Sequence, residues 1–231
     1  MPPSSATECA STPSSACSPN DATAVVRHLA HELRQPLSTI ESIGYYLKIA
    51  LPPNQVRARQ QADKLQEVVD QANTIIGDAL FFLDAATPKP QLIDLNELLS
   101  EILVQSSDHE SVHAQVELSE RALARMDPAH ARHLLRNLIG FFRQVIRPVG
   151  SITINTKSSC SEIMLTLSAG GSAIASGDLQ GVFEPFNQSL PAGVGLTMAS
   201  ARRIVQVHGG RIELRSLEDQ GVSVVVTVPA D

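Results

Sequence analysis

Hydrophobic positions in the first third of the chain step by alternating threes and fours. Val26, Leu29, Leu33, Pro36, Ile40, Ile43, Leu47 and Ala50 fall on one stripe of a long helix. This heptad-like spacing is that of a helix packed along another helix. Leu51-Pro52-Pro53-Asn54 ends it, because two prolines cannot continue the hydrogen-bond ladder. A second stripe follows, with Leu65, Val68 or Val69, Ala72, Ile75 or Ile76, Ala79 and Leu83. Two helices of similar length joined by a short turn read as an αα-hairpin. A lone hairpin offers each stripe one partner and little core. Pairing two hairpins into a four-helix bundle buries both, so the pattern predicts a homodimer through this region.

The texture changes after the linker Thr87-Pro88-Lys89-Pro90. Asp94-Leu95-Asn96-Glu97 starts a helix in capping-box style. Alternating runs at Val112–Leu118, Ile152–Thr156, Ile163–Leu167, Ile212–Leu214 and Val222–Val228 predict strands. Asp127-Pro128 opens an amphipathic helix with Leu134, Leu135, Leu138, Phe142 and Val145 inward, and a last helix runs from about Leu196 to Val207 before His208-Gly209-Gly210. The fold class expected is α+β, with an antiparallel helical hairpin followed by a sheet covered by helices on one face. Residues 1–20, rich in Ser, Pro, Ala and Thr, read as a disordered tail. The dimerisation domain then spans 21–86 and the second domain 91–231.

Composition narrows the function. The 231 residues carry a net charge of −6, with 3% aromatic residues and no Trp, which argues against a nucleic-acid binder or a protein held on an anionic membrane. Asp78 and Asp84 break the most apolar stretch, Ile75–Leu83, so no membrane insertion is expected. There is no secretory leader pattern, and Cys9, Cys17 and Cys160 have neither CxxC nor metal-ligand spacing. No metal site is read from the chain, Asp108, His109, Glu110 and His113 being taken as a solvated loop and Cys160 as inert. The expectation is a soluble, cytoplasmic protein.

Candidate chemistry lies in His31-Glu32-Leu33-Arg34-Gln35-Pro36-Leu37. On a helix, His31, Gln35, Ser38 and Ser42 share a face opposite the apolar stripe. Pro36 leaves the carbonyl of Glu32 without its helical partner. An exposed imidazole beside a carboxylate suits nucleophilic phosphoryl chemistry, in which the carboxylate accepts the ring proton. A solvated helix face accounts for the same residues taken alone.

The segment from His31 to Leu37 resembles the phosphoacceptor box of two-component sensor histidine kinases, placed as there on the first helix of a dimerising hairpin. Asp94–Leu99 resembles the entry to their ATP-binding domain, and Val182-Phe183-Glu184-Pro185-Phe186 its Phe-rich box. Gly193-Val194-Gly195-Leu196-Thr197-Met198, with Ala201–Val205 and His208-Gly209-Gly210, is similar to the second glycine box and the helix after it. The resemblance runs from about Ala24 to Pro229. It implies a dimeric four-helix bundle followed by an α/β sandwich of the histidine-kinase ATPase type. Catalytic roles follow for His31 as phosphoacceptor, Glu32 as base and Gln35 as a residue that orients water. Asn137, Gly171, Gly193 and Gly195 would border the nucleotide.

Three departures from the pattern bear on activity. Phe141 stands where the family's Asn box carries its Mg²⁺-ligating Asn, and a phenyl ring offers no oxygen. Ala169 stands at the Asp that accepts from the adenine amino group, and Ala173 replaces the second glycine after Gly171. The segment Asn187–Ala192 contains no Lys or Arg, and Gln144 occupies a position often basic. The resemblance with these losses implies a histidine phosphotransferase that exchanges phosphate between His31 and a receiver Asp of a response regulator. No cofactor is certain, Mg-ATP entering only if the degenerate pocket still works. An active autokinase and a non-catalytic scaffold that binds receivers are the alternatives. Gly193 and Gly195 can also serve only the turn into the helix, Glu184 and Phe186 only packing, and His208 only the helix end. His130 and His133 are expected to face solvent.

Overall fold

A computed structural model of the chain describes residues 19–83, 88–105, 112–145, 150–170, 181–188, 190–217 and 221–230. Helix α1 (Pro19–Ala50) passes without a break through Pro36, and helix α2 (Val56–Leu83) returns antiparallel to it. Small and apolar residues line the seam between them: Ala30 of α1, and Ala62 and Val69 of α2, are buried. At Gly44 an added Cβ would stand 3.0 Å from Leu65 Cδ2, so the glycine lets the second helix close in. Lys48 and Asp63 tie the turn end together at 2.9 Å. Much of the α1 stripe read from the sequence lies outside this seam, whereas Leu65 and Val69 of the α2 stripe face it. Leu29, Leu33 and Ile43 are each just over half exposed in the single chain.

Strands and helices of the second domain follow in the order β1 (Gln91–Asp94), α3 (Leu95–Gln105), β2 (Val112–Glu117), β3 (Leu123–Met126), α4 (Pro128–Val145), β4 (Gly150–Ser158) and β5 (Glu162–Ala169). Helix α5 (Val194–Val207), β6 (Arg211–Leu217) and β7 (Gly221–Pro229) complete it. The five-stranded sheet has the order β2-β4-β5-β7-β6, parallel only between β2 and β4, and β1 pairs with β3 in a separate two-stranded ribbon. All five strands expected from alternation are present. The two of the ribbon, four residues each, carry too little alternation to be read.

Inward positions of the strands (Ile152, Ile154, Ile163, Leu165, Leu167, Val224, Val226) pack with Leu134, Leu135, Leu138, Phe141, Phe142, Met198 and Ile204 of the helices into one buried core. Asp94 caps α3, its Oδ1 accepting the N–H of Asn96 at 2.9 Å, and Asp127 caps α4 through the N–H of Ala129 at 2.9 Å. No helix among the described residues is long and apolar enough to cross a membrane. The tail assigned to 1–20 lies, except for its last two residues, outside the described residues, as do Asp108, His109 and Glu110.

Candidate functional site

His31 is exposed at the middle of α1, and Gln35 follows it by one turn with its side-chain nitrogen 3.4 Å from His31 Nε2. With Arg34, Ser38, Thr39 and Ser42 they line an open depression on the hairpin. The hydroxyls of Thr39 and Ser42 turn back to the carbonyls of Gln35 and Ser38, at 3.2 and 2.9 Å. Glu32 is held elsewhere. Its carboxylate lies 3.6 Å from Nε2 of His28, so this structure places the expected base beside a different histidine. A second cleft, between α1 and the start of α4, is lined by Arg27, Arg34, Leu80, Phe81, His130 and His133, and Arg34 borders both.

Of the residues assigned to a nucleotide, Asn137, Gly193 and Gly195 lie at the junction of α2, α4 and α5. Asn137 is buried, and its amide donates to Asp78 Oδ1 at 2.7 Å and to the carbonyl of Thr197 at 3.2 Å. Asp78 comes from the hairpin and is 0% exposed. Its carboxylate also meets His133 Nε2 at 2.8 Å and accepts from the Thr197 hydroxyl at 2.6 Å. Burial of a carboxylate is tolerated when donors surround it in this way. The only hint of this junction in the sequence is a single Asp inside an apolar helical run, and its partners lie 55 to 119 residues away.

Gly193 and Gly195 have steric reasons to be glycine. Gly193 sits at φ +90° ahead of α5, and an added Cβ would be 2.7 Å from Ile75 Cγ1. At Gly195 it would be 2.3 Å from the carbonyl oxygen of Glu184. Phe141 is 1% exposed in the core, and Ala169 ends β5 with its side chain inward. Gly171 and Ala173 lie outside the described residues.

Three expectations need correction. His133 faces Asp78 and stacks on Phe81 with ring centroids 4.8 Å apart, and His130 meets the same ring edge-on, so neither projects freely into solvent. Phe186 is 84% exposed, so packing does not account for it. His208 does more than end α5. Its Nδ1 donates to the carbonyl of Ile204 at 2.8 Å while Nε2 accepts the N–H of Asp127 at 3.0 Å, joining the end of one helix to the start of another. Burial raises the pKa of the Asp127 carboxyl, but the N–H groups of Lys89, His130 and Ala129 and the charge of His130 prevail and hold it below the usual range. No group of His, Cys, Asp and Glu suited to a metal ion occurs among the described residues.

Comparison with known proteins agrees with this architecture. Residues 126–231 match the sequence model of the histidine kinase-, DNA gyrase B-, and HSP90-like ATPase family. The sensor histidine kinase ZraS of Salmonella typhi is 25% identical over 206 residues, covering 87% of this chain and 44% of that protein. The chain therefore spans less than half the length of that relative. Among solved structures, full-length ShkA in complex with AMPPNP superposes with a TM-score of 0.64 at 20% identity, over 90% of this chain and 46% of the other. Histidine kinase ThkA in complex with the response regulator TrrA gives 0.59 at 20% identity, over 90% and 61%. At these identities the structures speak for the fold.

Proposed function

We propose that this chain is a member of the sensor histidine kinase family, with a helical hairpin ahead of a histidine kinase-type ATPase-like domain, and that it works in two-component signalling as a histidine phosphotransferase. His31 exchanges a phosphoryl group with the Asp of a response-regulator receiver domain. The observation that carries this reading over autophosphorylation is the state of Asn137 and Phe141. The amide of the first is bonded to Asp78, and the second is a buried hydrocarbon ring where the family keeps a Mg²⁺ ligand. With Ala169 in place of the adenine-reading Asp, the residues present do not fit Mg-ATP.

In the transfer, the lone pair of His31 Nε2 attacks the phosphorus of the receiver's acyl phosphate. A P–N bond forms, the P–O bond to the Asp breaks, and the carboxylate leaves with the electron pair. The proton on Nδ1 passes to a base. Glu32 takes that role by turning from His28, a change of rotamer that its exposure allows. Gln35, donating to Nε2, favours the tautomer with the proton on Nδ1, a bond that opens before Nε2 attacks, and in hydrolysis of the receiver's acyl phosphate it orients water.

The functional unit is a homodimer, 21–86 forming the bundle and 91–231 the degenerate domain. The exposed stripe Leu29, Leu33 and Ile43 supports this, since a second hairpin would cover it. The similar kinase ThkA was solved with a response regulator, which agrees with a receiver as partner.

The test is to incubate the full chain, beside His31→Gln, with Mg-ATP labelled at the γ-phosphate and separately with a labelled phospho-receiver. Acid-labile label on the wild type from the receiver alone is expected. Label from ATP would make it an autokinase. Label from neither donor would leave a scaffold.

A further inference from the structure

Helix α2 lies along the motifs that would border the phosphates of a nucleotide. From Gln71 to Phe82, three turns of the hairpin run beside the segment Ala192–Arg203. Gln71 donates to the carbonyl of Ala192 at 3.1 Å, and Ile75 fills the space that a side chain at Gly193 would need. Asp78 receives Asn137, His133 and Thr197 on its carboxylate, and Ser200 donates to its carbonyl at 3.2 Å. One turn on, Arg203 donates to the carbonyl of Phe82 at 2.7 Å, with its guanidinium 5.4 Å above the Phe82 ring.

We propose that this surface has been converted from a nucleotide mouth into an intramolecular seat for helix α2. Asp78 is its latch, and the hairpin and the second domain move as one body. The occupant of the glycine-box surface is then the chain's own helix. The steric side is set by Gly193 and Ile75, where neither backbone strain nor space allows a larger residue. The polar side is set by Asp78, because a carboxylate at 0% exposure is stable only where its donors hold their places, and among the described residues the side chains that donate to it come from the second domain. A latch of this kind keeps the α5 surface against the hairpin, away from a nucleotide, and suits a protein whose phosphate arrives from outside. The seat concerns the two domains only, so its failure leaves the source of phosphate on His31 open, and the labelling test above decides that separately.

Thiol accessibility tests it on the full chain. Ser200 is buried beneath α2 against Asp78, whereas Cys160 is exposed and serves as internal standard. In a chain with Cys9 and Cys17 changed to Ser, Ser200→Cys is treated with a chromogenic disulfide reagent under native conditions. The introduced thiol is expected to react at least about a hundredfold more slowly than Cys160, through rare opening of the seat. Adding Asp78→Ala is expected to speed it at least about tenfold, with the circular dichroism unchanged. Where Asp78→Ala fails to fold, Thr197→Val removes one donor at constant shape and is expected to act in the same direction. Reaction as fast as Cys160 in the parent, or a rate unmoved by the latch substitution that folds, overturns the proposal.

Discussion

The side-chain nitrogen of Gln35 stands 3.4 Å from Nε2 of His31, across one turn of an exposed helix face. An amide that donates to Nε2 leaves the ring proton on Nδ1 and the lone pair on Nε2. The pair thus favours the Nδ1–H tautomer at rest, and the bond must open before Nε2 attacks phosphorus. Glu32, beside His28, takes no part in that choice.

Gln35→Ala, which leaves no amide to orient water, should slow the hydrolysis of a phospho-receiver by about tenfold, the effect of roughly one charge-neutral hydrogen bond on a barrier. Gln35→Asn, with a shorter reach, should fall between the two. The check is a time course of phosphate released from the phospho-receiver with each variant. Equal rates in all three would reduce Gln35 to a surface residue.

Gly195 and Gly140 should respond to alanine with opposite signs. At Gly195 the new methyl meets a backbone carbonyl, which cannot swing aside, so Gly195→Ala should lose about 1–3 kcal/mol. Gly140 lies within α4 with nothing within 4 Å of the point where a methyl would stand, and there alanine should gain roughly 0.5–1 kcal/mol from helix propensity. Urea denaturation without nucleotide reads both. A glycine kept only for phosphate contact would leave the stability of Gly195→Ala unchanged.

Much of this architecture was legible in the sequence for a local reason. The hairpin and the five sheet strands declare themselves by periods of about 3.6 and 2 residues, and the caps by Asp94 and Asp127. The junction was not legible, because Asp78, Asn137 and Thr197 meet only when elements far apart in the chain pack. Taken locally, Asp78 is a flaw in an apolar run, Asn137 a box remnant and Thr197 a helix residue. The same limit hid the seam of the hairpin. The periodic stripe marks an apolar face, but small residues such as Ala30 and Gly44 decide which edge of it meets the second helix.

The face left over predicts the oligomeric state. Leu33 and Ile43 are 53% and 52% exposed, and burying the exposed half of each in a bundle is worth about 0.7–1.5 kcal/mol per protomer. The wild type should have twice the chain mass by light scattering at micromolar concentration. Leu33→Glu with Ile43→Glu should have the mass of one chain and retain its helical signal. A monomeric wild type would remove the bundle from the functional unit.

Asp127 links stability to pH with a definite sign. Its carboxylate takes the N–H groups of Lys89 at 2.8 Å and of Ala129 at 2.9 Å, and its folded pKa is depressed from the ordinary 3.8. A depressed carboxyl stabilises the fold above its unfolded pKa, and that contribution fades as pH falls through the folded value. Asp127→Ala should be less stable than wild type by about 0.5–2 kcal/mol at pH 7, the usual worth of a helix cap. The gap should hold down to about pH 4 and shrink below it, since protonation then strips the wild type of the same charged acceptor. Other carboxyls titrating in that range, such as Glu162 against Arg211, are common to both proteins and cancel in the difference. Paired urea curves across the acid range measure it. The bond from the Asp127 N–H to His208 Nε2 survives in the variant, so a gap that stays constant into strong acid would assign the cost to side-chain packing and not to the charge.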